Sequence, residues 1–143
     1  MKKKSTLKKD GGAEVYVAQK LKELGVLEML QKALANGKTL AAHARSSDSV
    51  IQCVRHGIDY IYHASFVNEE ALDLLEAHKE KHFVAPGLAW LICTAREAGD
   101  YGIKPGSYIT QRYERELEHA VEAMKKMHKR GIRVVLAGFG GLN

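Results

Sequence analysis

"TLAAHARSSDSVIQCVRHGIDYIYHAS", residues 39–65, contains two short apolar runs that each end in a His-Ala step. Runs of this length, at 39–44 and 59–64, are typical of strands buried in a parallel sheet. The segment between them opens with Ser and Asp, which favour helix N-caps, and closes on a glycine. The stretch therefore predicts one β-α-β unit, with His43 and His63 at its two strand ends.

The same alternation continues along the chain. Apolar spacing predicts helices over 14–35, 46–57, 68–81 and 111–131, with further strands over 82–87 and 132–138. Gly25 is a candidate break in the first helix, and the Gly- and Pro-containing segment 88–110 is expected to be a loop with helical turns. The inward face expected for the last helix consists of Leu117, Ala120, Val121, Met124 and Met127.

Alternating helices and strands imply parallel strands joined by right-handed crossovers. The predicted fold class is therefore α/β, and two arrangements of four such strands remain. They form either a small open sheet or half of a (β/α)8 TIM-type barrel. The repeat of about twenty residues in the first units favours the barrel, because most doubly wound folds have longer units.

Composition narrows the class of protein. The chain has 143 residues, 45% hydrophobic and 27% charged, as in soluble globular domains, and no apolar run approaches the roughly 18 residues of a membrane span. Residues 1–12 are basic and supply most of the net charge of +5, so we expect a disordered arm before a domain at 13–143. A solvated arm is favoured over nucleic-acid binding. Cys53 and Cys93 have no metal-site spacing, which predicts reduced thiols in a cytoplasmic protein.

His43 and His63 are the candidate metal ligands. Side chains at the carboxyl ends of adjacent parallel strands lie close together, since the strands are about 4.8 Å apart. Imidazole nitrogens bind zinc, so the pair predicts a metal site, with hydrogen-bonded rim residues as the alternative. Tyr62 is expected to point away from His63, against a helix. The other five histidines are predicted to be surface or helix-end residues: His56, His78, His82, His119 and His128.

The residues "AAHARSSDSVIQCVRHGIDYIYHASFVNEEALDLL" resemble the metal-dependent amidohydrolase superfamily, in its branch of imidazolonepropionase-like hydrolases and dipeptidases. The resemblance extends over about 38–136 and implies strands five to eight of a (β/α)8 barrel. It implies that His43 and His63 bind a divalent metal, zinc being the first choice. It also implies a substrate-facing loop near Trp90, whose ring either contacts substrate or packs within the loop. Arg45 either binds a substrate carboxylate or forms a surface salt bridge.

Other residues that the resemblance implies are missing from this sequence. The family has a His-x-His pair on its first strand and a Lys or Glu on its fourth, and this chain has no His-x-His. The family also has an Asp at the end of strand eight, which binds metal and accepts a proton from the attacking water, and Gly140 stands there. No catalytic residue is therefore assigned. We expect either a fragment of a longer enzyme or a stand-alone half-barrel.

Three functions remain at this point. The first is hydrolysis of a C–N bond in a small amide, peptide or cyclic amide by metal-activated water. The second is a non-catalytic α/β half-barrel that binds metal weakly at most. The third, a flavodoxin-like nucleotide-binding sheet, is disfavoured because no Gly-rich phosphate loop joins a strand to a helix. A half-barrel exposes sheet edges and an apolar face, so we expect homo-oligomers that complete the barrel, and neither nucleic acid nor membrane as a partner.

Overall fold

The structure is a computed structural model and describes residues 25–135. The chain divides into two compact units between Lys38 and Thr39. In the first unit one helix, α1 (Val26–Ala35), begins directly after Gly25, the predicted break. The predicted arm at 1–12 and the position of Gly140 lie outside the described residues.

The second unit alternates strands and helices as the sequence predicts. Its elements are β1 (Ala41–Ser46), α2 (Ser47–Arg55), β2 (Tyr60–Phe66), α3 (Glu69–Ala77), β3 (Phe83–Ala85), α4 (Leu88–Arg96), a 3-10 turn (Ala98–Tyr101) and α5 (Tyr108–Lys129). The three strands pair in parallel in the order β1-β2-β3. Val134 pairs with Val84 in parallel, where the fourth strand was predicted. The predicted α/β fold with parallel βα units is confirmed.

Polar side chains fix the starts of the helices. The Ser46 hydroxyl accepts the Ser49 N–H at 3.3 Å, and the Asn68 carboxamide accepts the Ala71 N–H at 2.9 Å. Both bonds satisfy donors that the first helical turn leaves without partners. Helix α2 ends at Arg55, and Gly57 just beyond it has a φ of 71°, which lets the Ile58 N–H reach the Cys53 carbonyl at 3.0 Å. These short joins hold successive strands in parallel.

The core lies between the sheet and its helices. Helix α2 packs against β1, β2 and α3, while α5 packs against β2 and α4. The fully buried large side chains include Ile51, Ile61, Leu72, Leu75, Leu91 and Met127. Arg130, at the end of α5, forms ion pairs with three acidic side chains of α3, namely Glu69, Asp73 and Glu76. Burial and these ion pairs together fix α5 against the rest of the unit.

Segment 88–110 is more regular than its sequence predicts. Nine residues form α4, and α5 begins at Tyr108 instead of 111 because the Ser107 side chain caps it. Cys53 and Cys93 are both free thiols, Cys53 buried and Cys93 exposed. Within residues 25–135, no helix combines the length and apolar character needed to cross a membrane.

Candidate metal-binding and substrate-binding site

The two candidate ligands lie side by side. His43 Nδ1 is 2.8 Å from His63 Nε2, and the ring centroids are 5.0 Å apart. One of these nitrogens donates and the other accepts, according to the tautomers. The sequence prediction that β1 and β2 bring these residues together is confirmed. Each strand continues three residues beyond its histidine, to Ser46 and Phe66, so the pair lies near the strand ends and not at them.

An irregular backbone in β2 makes this contact possible. The register pairs His43 with Tyr62 and Ala44 with His63, so a regular strand would turn His63 away from His43. Instead His63 has a φ of 80° and Ala64 a φ of 49°, both in the left-handed region that non-glycine residues seldom adopt. The register shifts just beyond, between Ala44 and Ser46. The local backbone, not alternation, therefore aims the His63 ring at His43.

The expectation that Tyr62 packs away from the site was wrong, because the register pairs Tyr62 with His43 on the same face of the sheet. Its ring lies 5.3 Å from the His43 ring, and it is only partly buried. Regular alternation would place Tyr62 and His63 on opposite faces. Tyr62 therefore reaches His43 through regular strand pairing, whereas His63 reaches it through the turned backbone. Tyr62 thus forms one wall of the histidine pair.

His63 is enclosed, whereas His43 is exposed. The His63 side chain is 6% exposed, and its Nδ1 has no hydrogen-bond partner among the described residues. A Cβ atom at Gly87 would lie 2.8 Å from this nitrogen, so only glycine fits beside the ring. Burial lowers the pKa of His63, and the positive charge of Arg45 lowers it further. The His63 imidazole is therefore held neutral, the form that binds metal.

The pair fits part of a zinc site. Two nitrogens bound to tetrahedral zinc at about 2.0–2.1 Å lie about 3.3 Å apart, slightly more than the 2.8 Å here. The His43 ring is exposed, so the described residues do not enclose it on all sides. Across residues 25–135, His43 and His63 have no third His, Cys, Asp or Glu that would make a group of three. The donor set therefore fits two of the four zinc ligands.

A second cluster lies beside the pair, around Arg45. The Arg45 guanidinium lies over the Trp90 ring, 5.1 Å from its centroid, and Trp90 packs edge-on against Tyr113 at 4.9 Å. Arg45 also forms an ion pair with Glu116 at 3.4 Å, and the Ser65 hydroxyl donates to the other oxygen of Glu116 at 3.2 Å. The structure brings both predicted substrate-binding residues, Arg45 and Trp90, into one cluster.

Glu116 is the residue of this cluster that the sequence prediction missed. Its side chain is 3% exposed, on a helix whose other carboxylates face solvent or surface partners. It precedes Ala120 by four residues and so lies on the buried face of α5. The sequence contained one signal of this burial, a carboxylate at a helix position where the spacing expects an apolar residue. The predicted inward face included Leu117 instead, one residue further along.

His82 also differs from its prediction. It was expected to be a surface or helix-end histidine, but it is 1% exposed, and its Nδ1 donates to the Ile58 carbonyl at 2.6 Å. The His82 ring lies just before β3, at the amino end of the strands. It therefore packs in the core, away from the candidate site.

Three comparisons relate the chain to known proteins. A scan against protein-family models and a search of curated proteins each found no match. Solved structures do match: a prolidase at 21% identity and a TM-score of 0.66, a Xaa-Pro dipeptidase at 18% and 0.63, and the ochratoxinase of A. niger at 13% and 0.61. The names of these neighbours fit the amidohydrolase superfamily. The fold of this chain is that of part of the barrel seen in these structures.

The similarity covers most of this chain but a small part of each neighbour. The prolidase match spans 79% of this chain and 27% of the prolidase, and the ochratoxinase match spans 78% and 24%. At these identities the likeness shows the fold alone. It confirms the barrel expectation for the second unit. Any activity of this chain is therefore a proposal.

Proposed function

We propose that this chain forms the part of a metal-dependent amidohydrolase barrel that contributes two metal ligands, His43 and His63. The observation that carries the proposal is the convergence of His43 Nδ1 and His63 Nε2 near the carboxyl ends of adjacent parallel strands. Functional groups of parallel α/β folds lie at this end of the strands. The solved structures that share the fold are named as a prolidase, a Xaa-Pro dipeptidase and an amidohydrolase, which supports a hydrolase.

The proposed reaction is hydrolysis of a C–N bond in a small amide, peptide or cyclic amide. When bound, the metal supplies a hydroxide at neutral pH and polarises the carbonyl of the substrate. His43 and His63 hold it, while Arg45 and Trp90 bind the substrate beside it. Two imidazoles complete half of a tetrahedral site, so the remaining ligands come from water, another part of the protein or a second copy.

Metal binding is the first test. Purified protein dialysed against Zn²⁺ is expected to retain about one ion per chain, and His43→Ala or His63→Ala is expected to abolish retention. His128→Ala is the matched control, because His128 is exposed on α5 and far along the chain from the pair. Equal zinc content in all four proteins, or none in the wild type, would contradict the proposed site.

Hydrolysis is tested separately. Zn²⁺-loaded protein is assayed with N-acyl amino acids and with dipeptides, including Xaa-Pro dipeptides, since two neighbours are named for that class. Product formation that disappears in His63→Ala supports the hydrolase. Zinc retention without hydrolysis supports the second candidate, a non-catalytic half-barrel that binds metal.

The second candidate is favoured by the donor set, which within residues 25–135 reaches two ligands and not three. In both candidates we propose that two copies associate to complete the barrel. Light scattering is expected to give the mass of a dimer. A monodisperse monomer that binds no hydrophobic dye would contradict this association.

A further inference from the structure

The ion pair between Arg45 and Glu116 has an unusual distribution of exposure. The Glu116 side chain is 3% exposed, whereas the Arg45 side chain is 39% exposed. A carboxylate removed from water needs charged or hydrogen-bonding partners, and Glu116 has two, Arg45 and the Ser65 hydroxyl. The pair is therefore anchored in the protein at its acidic end and open to solvent at its basic end.

Two contacts and the attachment to β1 restrict the position of the Arg45 guanidinium. Glu116 attracts it from α5, the Trp90 ring supports its flat face from α4, and β1 carries its backbone. Tyr113 in turn supports Trp90 edge-on. An arginine side chain on a surface otherwise samples many rotamers, and ordering them is costly on binding. Here most of that ordering is already present.

The guanidinium keeps donors available for a ligand. Arg45 has five N–H donors, and within the described residues its only hydrogen bond is the one to Glu116 through a terminal nitrogen, at a long 3.4 Å. Its remaining donors include a two-nitrogen edge of the kind that binds a carboxylate through two parallel bonds. A phosphate or carboxylate binds such a fork better than a neutral amide does.

We propose that Glu116 is a positioning residue that holds Arg45 against Trp90, so that Arg45 binds the carboxylate of a ligand lying beside the histidine pair. The ligand class is a small molecule with a free carboxylate next to an apolar or amide group, such as an N-acyl amino acid. This inference rests on the proposed substrate-binding role of Arg45, but not on metal binding or hydrolysis. Glu116 itself touches no ligand; it acts through Arg45.

Trp90 provides the measurement, since it is the only tryptophan of the chain and lies against Arg45. Fluorescence titrations compare N-acetyl-L-leucine with N-acetyl-L-leucinamide, which differ in the carboxylate alone. A charge-assisted bond to Arg45 is expected to favour the acid over the amide by about tenfold or more in Kd. Metal is omitted, so failure of the hydrolase proposal does not affect the result.

Glu116→Gln keeps the shape of the side chain and removes its charge. It is expected to reduce the preference for the acid to about threefold or less while leaving amide binding unchanged. A merely structural role would weaken both ligands or neither. Glu118→Gln is the matched control, since it makes the same change at an exposed position of the same helix, and it is expected to keep the wild-type preference.

Ser65→Ala is the second variant, for the case in which Glu116→Gln unfolds. It removes the other hydrogen bond to Glu116 and is expected to lower the preference for the acid by a smaller factor, about threefold. The inference is overturned if the wild type does not distinguish acid from amide. It is equally overturned if Glu116→Gln folds and retains the full preference for the acid. If Glu116→Gln does not fold, full preference in Ser65→Ala overturns the inference instead.

Discussion

Two buried imidazoles, His63 and His82, lie at opposite ends of the same small sheet and are held in different ways. Each has one nitrogen without a partner among the described residues, Nδ1 in His63 and Nε2 in His82. His82 donates to a backbone carbonyl of the loop before β2, whereas His63 contacts a side chain that faces solvent. Burial lowers the pKa of both. Similar burial therefore accompanies a backbone partner at one end of the sheet and a solvent-facing side-chain partner at the other.

The backbone conformation also differs between His63 and His82. His63 adopts a φ of 80°, a conformation that costs on the order of 1–3 kcal/mol for a non-glycine residue. Among the described residues, positive φ outside glycine occurs at His63 and its neighbour Ala64, and not at His82. Strain that the surrounding structure maintains often accompanies a functional site. This contrast supports assigning the site to the His63 end.

The largest expected effect is on stability at the structural end. His82→Ala removes a fully buried ring and a hydrogen bond, and it is expected to lower the free energy of unfolding by about 2–4 kcal/mol. Denaturant titration measures the change. Zinc retention by the folded fraction is expected to match the wild type. Loss of zinc in His82→Ala would contradict the assignment of a purely structural role to His82.

A second prediction concerns Gly87, beside the His63 ring. In Gly87→Ala the new methyl group would lie 2.8 Å from His63 Nδ1, so the ring must move. We expect a loss of about 1–3 kcal/mol in the free energy of unfolding, as for overpacked cores, together with weaker zinc binding.

Gly99→Ala is the control for Gly87→Ala. A Cβ atom there would meet Pro105 at 3.7 Å, an ordinary contact, so stability and zinc binding are expected to stay near those of the wild type. Equal effects of the two substitutions would show that space beside His63 is not limiting.

The third prediction is a pH dependence. The pKa of His82 in the folded protein is lowered, first by burial and then by nearby His78 and Lys81, while Asp59 and the bond to Ile58 oppose this. The unfolded chain therefore binds more protons as pH falls below about 6.5, the ordinary pKa of histidine, so this contribution to stability is complete above that pH and is lost as pH decreases.

His82→Asn tests this dependence, because its carboxamide can donate to the Ile58 carbonyl without titrating. The loss of stability between pH 7 and 5 is expected to be smaller than in the wild type, because the residue at this position no longer titrates. His63 contributes a similar dependence and remains in the variant. An unchanged slope in equilibrium unfolding would exclude His82 as a source.

The smallest effect on stability is expected at the exposed partner. His43→Ala removes a solvent-exposed ring on an edge strand and is expected to change the free energy of unfolding by less than about 0.5 kcal/mol. The same substitution is expected to abolish zinc retention. Thermal melts with and without Zn²⁺ measure both, since a metal that binds the folded state raises the melting temperature of the wild type alone. A large loss of stability without metal would place His43 in the structural class.

The sequence predicts well which elements form the site, but it predicts poorly the directions of the side chains within it. The order of elements follows from apolar spacing and from caps such as Ser46 and Asn68, because these signals are local. The adjacency of His43 and His63 follows from parallel pairing. The direction of the His63 ring does not, because a left-handed backbone at a histidine has no distinctive residue pattern, unlike one at glycine.

Glu116 shows a second limit of the sequence. Its burial depends on which of two overlapping faces of α5 meets the sheet, and Glu116 and Leu117 differ by one position. The apolar periodicity predicted that the face with Leu117 is buried. Pairing with Arg45, 71 residues earlier, made the other face favourable, and no local signal reports that partner.

The left-handed turn at His63 and Ala64 also limits how this arrangement can be transplanted. A designer who grafts two histidines onto adjacent strands of another parallel sheet, at the register seen here, would obtain rings on opposite faces. The graft must include the turned backbone at these two positions and the glycine that leaves room beside the ring. The smallest transferable unit is therefore a short piece of three elements, β1, β2 and the loop after β3, and not a pair of side chains.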